Sequence, residues 1–125
     1  MNLHVVAIVP ALNEAGTIAQ VITGLRSRIA RVTVTDDGSS DATADIARAA
    51  GATVISHAEP KGKGQAVRTA LDHVLVQPHV EFVLILDGDM QHLPEEAGRL
   101  IDTARVTGAD LVVGERQFDR NAMPA

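Results

Sequence analysis

Five short apolar segments recur along the chain, and each is shorter than an ordinary helix. They predict strands at residues 5–9, 32–34, 54–55, 82–86 and 111–113. The segment at 82–86, Phe-Val-Leu-Ile-Leu, is apolar throughout, which is typical of a strand buried on both faces of a sheet.

The stretches between these segments have helical periodicity. The stretch at 13–28 carries apolar residues at intervals of three and four, namely Ile18, Val21, Ile22 and Leu25. Similar patterns predict helices at 41–50, 64–76 and 94–106, with Asp41 as the N-cap of the second and Gly51 just after its end. Repeated strand–helix–strand units predict an α/β fold, a mostly parallel sheet with helices on both faces.

Composition narrows the class of protein. With 125 residues the chain is expected to form a single domain, residues 1–125. A formal net charge of −5 and only two aromatic residues argue against a nucleic-acid-binding protein. The chain has no cysteine, which excludes disulfides and thiolate metal sites. Because no segment has the pattern of a signal peptide or a transmembrane span, we expect a cytoplasmic protein.

Two carboxylates, Asp87 and Asp89, follow the predicted strand at 82–86. Open α/β sheets bind their ligands at the carboxyl ends of the strands. Two carboxylates about 4 Å apart repel by roughly 4 kcal/mol at an effective dielectric near 20, and a divalent cation removes that repulsion. An oxygen-rich pair suits Mg²⁺ or Mn²⁺, and the amide oxygen of Gln91 is a further candidate ligand. Two solvated acids in a loop are the alternative.

Two other polar segments follow predicted strands. Asp36 and Asp37 could accept hydrogen bonds from a base N–H or ribose hydroxyls, with Gly38 permitting a tight turn; a turn and helix cap is the alternative. Lys61 and Lys63 lie in a glycine-containing segment before a predicted helix and could reach a diphosphate; a basic loop is the alternative.

The residues after the first predicted strand and the histidines indicate a ligand site less specifically. Asn13 could cap the first helix and Glu14 could favour its dipole, or both could contact a ligand. The histidines at 4, 57, 73 and 79 have no metal-binding spacing and are expected to be surface or structural residues, and His92 is expected to be a loop residue rather than a ligand.

Five segments, taken in chain order, carry a series of motifs. Residues 9–14 have the pattern P-x-x-N-E, 36–43 the pattern D-D-G-S-x-D-x-T, and 62–66 the pattern G-K-G-x-A. Residues 86–94 have the pattern D-x-D-x-Q-x-x-P, and 110–116 are similar to the strand motif A-D-x-V-x-G-S-R. In this order the segments resemble the motifs of the inverting family 2 glycosyltransferases, which have the GT-A fold, and the closest resemblance is to the dolichyl- or polyprenyl-phosphate sugar transferases.

The resemblance implies transfer of a sugar from a UDP- or GDP-linked donor to an acceptor, of which a polyprenyl phosphate is one candidate. It implies a donor site made of Pro10, Asn13, Glu14, Asp36, Asp37, Lys63, Asp87, Gly88 and Asp89. It implies that Asp87, Asp89 and Gln91 hold Mg²⁺ or Mn²⁺, and that the catalytic residues are Asp89 and Arg116. Arg116 would face the acceptor phosphate or the donor diphosphate. A lipid acceptor would place the protein at the inner face of the membrane.

The sequence departs from the family pattern at Pro60, where asparagine is usual, and at Glu115, where serine is usual. Family members also continue beyond Ala125, so we expect a truncated domain with an unpaired sheet edge near 111–113 that promotes self-association. A non-catalytic nucleotide- or metal-binding module is therefore the alternative function. A nucleotidyltransferase is a third interpretation, although the first predicted strand lacks the glycine-rich phosphate loop expected after it.

Overall fold

The structure is a computed structural model that describes residues 2–78, 80, 82–86 and 111–113. Its described strands form one sheet, in which every pairing is parallel, and they are β1 (Asn2–Ala11), β2 (Ile29–Asp36), β3 (Thr53–Ser56), β4 (Phe82–Ile85) and β5 (Leu111–Val113). The strand order is β3-β2-β1-β4-β5, so β1 is central and the order reverses between β1 and β4. The described helices are α1 (Ile18–Arg26), α2 (Thr43–Ala49) and α3 (Lys63–Val74).

Both faces of β1 are buried, which explains its continuous apolar sequence. Val5, Ala7 and Val9 lie in a cluster with the apolar residues of α1 and with Ala47 of α2. Val6 and Ile8 face the opposite side, where they pack with α3 residues. Because successive strand side chains point to opposite faces, helices must cover both sides of this strand. The predicted α/β class, with a parallel sheet between helices, is confirmed.

The first helix begins later than predicted. The prediction was wrong for residues 13–17, because α1 starts at Ile18 and Thr17 takes the N-cap position. Asn13 has φ +54, a left-handed conformation that a helix does not contain. The backbone N–H groups of residues 13–15 donate to side chains beyond β2, so they are bonded outside the helix.

The second helix is shifted by two residues at its start. Ala42 rather than Asp41 takes the N-cap position, and Asp41 Oδ1 accepts a hydrogen bond from the Thr43 N–H at 3.0 Å. The carboxylate thus caps the helix from one position earlier. Gly51 follows the helix end with φ +103, as predicted for a glycine at that position. The predicted helix at 94–106 lies outside the described residues.

Backbone hydrogen bonds continue across the carboxyl edge of the sheet beyond the paired strands. Leu86 N–H donates to the Ile8 carbonyl at 3.0 Å, and Asp37 N–H donates to the Ala11 carbonyl at 2.9 Å. Pro10 is tolerated in the central strand because pairing with β4 ends at Ile8, two residues earlier. None of the helices in the described part of the chain has the length and apolar character needed to cross a membrane.

Candidate functional site

The polar segments that follow β1, β2 and β3 meet at the carboxyl edge of the sheet. They are called the first loop (residues 12–17), the second loop (37–42) and the third loop (57–62). Since the strand order reverses between β1 and β4, a crevice is expected at this edge beside β1. All described candidate residues therefore belong to the region where open α/β sheets bind ligands.

Asn13 joins the first loop to the second. Its N–H donates to Ser39 Oγ at 2.8 Å, and its Oδ1 accepts from the Ser40 N–H at 2.9 Å and the Ser40 hydroxyl at 3.2 Å. The side chain does not cap α1, contrary to one of the two interpretations. Within the described residues its Nδ2 has no hydrogen-bond partner, so this group is available to a ligand.

A second set of hydrogen bonds joins the first loop to the second loop and to Thr43, the first residue of α2. Glu14 N–H donates to the buried Thr43 Oγ1 at 2.9 Å, and Ala15 N–H donates to Asp41 Oδ2 at 3.3 Å. The Thr43 hydroxyl donates a very short hydrogen bond to Asp41 Oδ1. That hydrogen bond is the main reason the pKa of Asp41 is lowered. The motif residues Asp41 and Thr43 thus fix the loop that contains Asn13 and Glu14.

Asp36 is the last residue of β2 and is buried. Its Oδ1 accepts the Ser39 N–H at 3.2 Å, which closes the turn of the second loop. No donor among the described residues bonds to its Oδ2. Asp36 therefore has a fixed orientation and one acceptor oxygen that no described residue occupies.

Asp37 differs from Asp36 because both of its carboxylate oxygens are bonded to the third loop. Oδ1 accepts from Lys61 N–H at 2.8 Å and lies 2.8 Å from His57 Nδ1, and Oδ2 accepts from Gly62 N–H at 2.9 Å. Burial raises the pKa of this carboxyl, but the hydrogen bonds from His57, Lys61 and Gly62 together outweigh it, so the net pKa is lowered. Asp37 is consequently an ionised acceptor that ties two loops together.

His57 completes this connection and was not identified as a site residue from the sequence. Its side chain is 8% exposed, and its Nε2 lies 2.9 Å from Thr69 Oγ1 on α3. Because an ionised Asp37 only accepts, Nδ1 must carry a proton. The expectation of a structural histidine agrees with this geometry. The one available signal was its position directly after Ser56, the end of β3, at the same edge as the motif acids.

The second and third loops also touch without side chains between them. Gly38 has φ +78, and a Cβ at this residue would lie 2.6 Å from the carbonyl carbon of Glu59 and from the nitrogen of Pro60. No larger residue fits so close to a neighbouring backbone. The glycine of the second motif is therefore explained by both its conformation and its contact.

The third loop leads directly into α3. Lys63 is the first residue of this helix and Gly62 is its N-cap, with φ +100. Both Lys61 and Lys63 are exposed. A 12-residue helix carries partial positive charge at its N-terminus, which together with two lysines favours an anion.

The predicted metal and acceptor residues are not among those whose positions the structure describes. Asp87, Gly88, Asp89, Gln91 and Arg116 lie outside the described residues. Leu86, the residue before Asp87, donates its N–H to the Ile8 carbonyl of β1 at 3.0 Å. Within the described ranges, no three His, Cys, Asp or Glu residues are grouped so that they could hold a metal ion. The donor set Asp87, Asp89 and Gln91 is rich in oxygen, and its chemistry fits Mg²⁺ or Mn²⁺.

Known proteins are similar to this chain in sequence. Glycosyltransferase AglJ from Haloferax volcanii is 41% identical over 111 residues, which cover 88% of this chain and 35% of that protein. An undecaprenyl-phosphate 4-deoxy-4-formamido-L-arabinose transferase from Edwardsiella ictaluri is 31% identical over 128 residues, covering 90% of this chain and 37% of that protein. The chain thus spans little more than a third of the length of either relative.

The fold also matches a crystal structure of glucosyl-3-phosphoglycerate synthase from Mycobacterium tuberculosis in complex with Mn²⁺, UDP-glucose and phosphoglyceric acid. The TM-score is 0.70 at 28% identity, over 86% of this chain and 40% of that one. Residues 6–122 match the family described as Glycosyl transferase family 2. The sheet of this chain is parallel, as in the GT-A enzymes, and motif segments lie at its carboxyl edge. The family match covers nearly the whole sequence. The chain therefore belongs to glycosyltransferase family 2.

Proposed function

We propose that residues 1–125 form the nucleotide-sugar-binding portion of a metal-dependent, inverting glycosyltransferase. The observation that carries this proposal is the connection of three loops by hydrogen bonds at the carboxyl edge, in which one oxygen of Asp36 has no partner among the described residues. A site whose polar groups are already fixed loses little entropy when it binds a ligand. The metal dependence and the inverting stereochemistry are part of this proposal.

The nucleoside binds along the first and second loops. Asp36 Oδ2 accepts a hydrogen bond from a base N–H or a ribose hydroxyl, and Asn13 Nδ2 donates one. Pro10 and Glu14 line the same side of the crevice in this proposal. Pro10 lies near the end of β1, which runs beside β2 up to the pair Ala11 and Asp36. Asp37 acts in this site by holding the neighbouring loop.

The diphosphate binds at the third loop. Lys63 and Lys61 supply positive charge, and the N-terminus of α3 offers backbone N–H groups to phosphate oxygens. Mg²⁺ or Mn²⁺, held by Asp87, Asp89 and Gln91 with Gly88 between the two acids, would offset charge on the leaving nucleoside diphosphate. The crystallised relative contains Mn²⁺ together with UDP-glucose, which supports a divalent cation at the corresponding site.

The acceptor is proposed to be a polyprenyl phosphate. Support comes from the Edwardsiella relative, whose name is that of an undecaprenyl-phosphate sugar transferase. Arg116, three residues after β5, would bind the acceptor phosphate or the donor diphosphate. The anionic oxygen of such an acceptor attacks the sugar directly, so positioning rather than a strong general base accelerates the reaction. The reaction would occur at the inner face of a membrane.

The relatives do not favour a non-catalytic module.

Calorimetric titration with UDP and GDP, each with and without Mn²⁺, tests the donor site. We expect Mn²⁺-dependent binding of one of the two nucleotides and its loss in Asp89→Ala. Asp72→Ala is the matched control, because Asp72 is an exposed acid in the second half of α3. The absence of binding to either nucleotide, or equal binding by both variants, would refute the proposed site. Incubation with a donor sugar and polyprenyl phosphate then tests transfer, and NMR of the product's anomeric proton tests inversion.

A further inference from the structure

We propose that His57 is a positioning residue of the donor site, which fixes Asp37 and thereby holds the Lys61–Lys63 segment where it binds the donor diphosphate. This inference rests on the proposed function, because the diphosphate is part of it. His57 belongs to none of the motifs, and its side chain is 8% exposed.

Asp37 is hydrogen-bonded to the segment that bears the two lysines. Asp37 receives the N–H groups of two consecutive residues, Lys61 and Gly62, one on each carboxylate oxygen. Two bonds to adjacent amides define both the position and the direction of the backbone there. Gly62 also accepts the first bond of α3, from Ala66 N–H at 3.0 Å, so Asp37 determines where the helix begins.

His57 connects Asp37 to the rest of the protein. His57 is bonded through both ring nitrogens, to Asp37 on one side and to Thr69 on the other, and its backbone N–H donates to the Asp36 carbonyl at 2.9 Å. Thr69 lies in the middle of α3, two turns after Lys63. The ring thus links the second loop to α3, and it holds Asp37 in the orientation that bonds the third loop.

The effect of His57 on diphosphate binding is separate from nucleoside binding, because the nucleoside contacts are held by other hydrogen bonds. Asp36, the proposed nucleoside contact, is oriented by the Ser39 N–H within its own loop. The bonds of Asn13 also lie between the first and second loops. Loss of the His57 ring leaves these bonds in place and releases only the third loop. A residue with a merely structural role would weaken nucleoside and diphosphate binding equally.

Four variants test this inference in the full chain. His57→Leu removes both ring bonds while keeping an apolar side chain in the buried site. His57→Asn restores a donor near the position of Nδ1. Thr69→Val removes only the outer partner of the ring and disturbs the fold least. His73→Leu is the control, since His73 is an exposed histidine on the same helix.

Two measurements are made on each variant. Hydrogen exchange of the Lys61 and Gly62 amides, followed by NMR, reports directly on their bonds to Asp37, and the Val34 amide in the core reports on global stability. NMR titrations with UDP and uridine, and with GDP and guanosine, each in the presence of Mg²⁺, separate the diphosphate contribution to binding from the nucleoside contribution.

We expect His57→Leu to lower protection of the Lys61 and Gly62 amides at least tenfold relative to Val34. We expect it to weaken diphosphate binding about tenfold and nucleoside binding less than twofold. His57→Asn should return both values to within threefold of the wild type, and Thr69→Val should show the same pattern with smaller changes. Unchanged protection in His57→Leu, or equal losses for diphosphate and nucleoside, overturns the inference. If the wild-type chain binds neither UDP nor GDP, the proposed function fails and the donor role of His57 fails with it, whereas amide exchange still decides whether His57 holds the loop.

Discussion

Gly38→Ala tests whether the second and third loops are in direct contact. The residue has φ +78, and its new Cβ would lie 2.6 Å from two backbone atoms, the Glu59 carbonyl carbon and the Pro60 nitrogen. Neither atom can rotate away as a side chain would. The loops must therefore separate, and the bonds from Asp37 to the third loop must lengthen or break.

The expected loss has two parts. A left-handed conformation costs an L-residue about 1–2 kcal/mol, and overpacking against a fixed neighbour costs about 1–3 kcal/mol. Together they lower the free energy of unfolding by about 2–5 kcal/mol, a large share of the 5–15 kcal/mol that is usual for a domain.

Two other glycines provide matched controls. Gly51 also has a positive φ, of +103, but the three atoms nearest to its new Cβ all belong to the Arg26 side chain, which can move. Gly51→Ala should therefore cost about 1–2 kcal/mol, the conformational part alone. Gly16 has open space around it, so Gly16→Ala should be neutral or stabilise the protein by up to about 1 kcal/mol.

Urea denaturation of the three variants, analysed with a common m-value, measures these differences. A loss for Gly38→Ala that is no larger than the loss for Gly51→Ala would refute the close approach of the loops. The glycine of the second motif would then be required for its backbone conformation alone.

Three further predictions concern Asp37, Thr35 and β5. The pKa of folded Asp37 lies below its ordinary value of 3.8, so its carboxylate stabilises the fold above pH 3.8 and this contribution is lost as the pH falls through the folded pKa. The stability difference between wild type and Asp37→Asn should shrink over that range, and a difference independent of pH would contradict it. Thr35 is fully buried and its Oγ1 has no hydrogen-bond partner in the part of the chain described. Thr35→Val should raise the free energy of unfolding by about 1 kcal/mol, and a loss of stability in urea would show that the hydroxyl is bonded. Because β5 is an edge of the described sheet, we expect concentration-dependent self-association; a single monomer mass in light scattering at all concentrations would oppose it.

The elements themselves were predictable because their signals are local. Apolar runs and helical periodicity report which residues are buried, and they placed all five described strands and three described helices to within a few residues. The largest error was at residues 13–17, where the N–H groups bond to Ser39, Thr43 and Asp41 instead of to a helix. These partners lie more than 25 residues away, and no local pattern contains them.

The roles of the site residues were also only partly predictable from the sequence. From the sequence, Asp36 and Asp37 are equivalent neighbours, and both were assigned to the nucleotide. In the structure Asp36 keeps one oxygen without a partner among the described residues, whereas Asp37 is occupied by His57 and the third loop. The difference arises because adjacent residues at a strand end face opposite sides, and only one side carries the third loop.

The sequence by itself determined the alternation of strands and helices, the α/β class and the set of polar segments that follow the strands. These properties depend on spacing and side-chain chemistry along a continuous chain. Only the tertiary structure decided the order β3-β2-β1-β4-β5, the bonding of the first loop to the second, and the role of His57 between Asp37 and Thr69. Those features depend on which distant segments pack together, and such contacts exist only after the sheet has assembled.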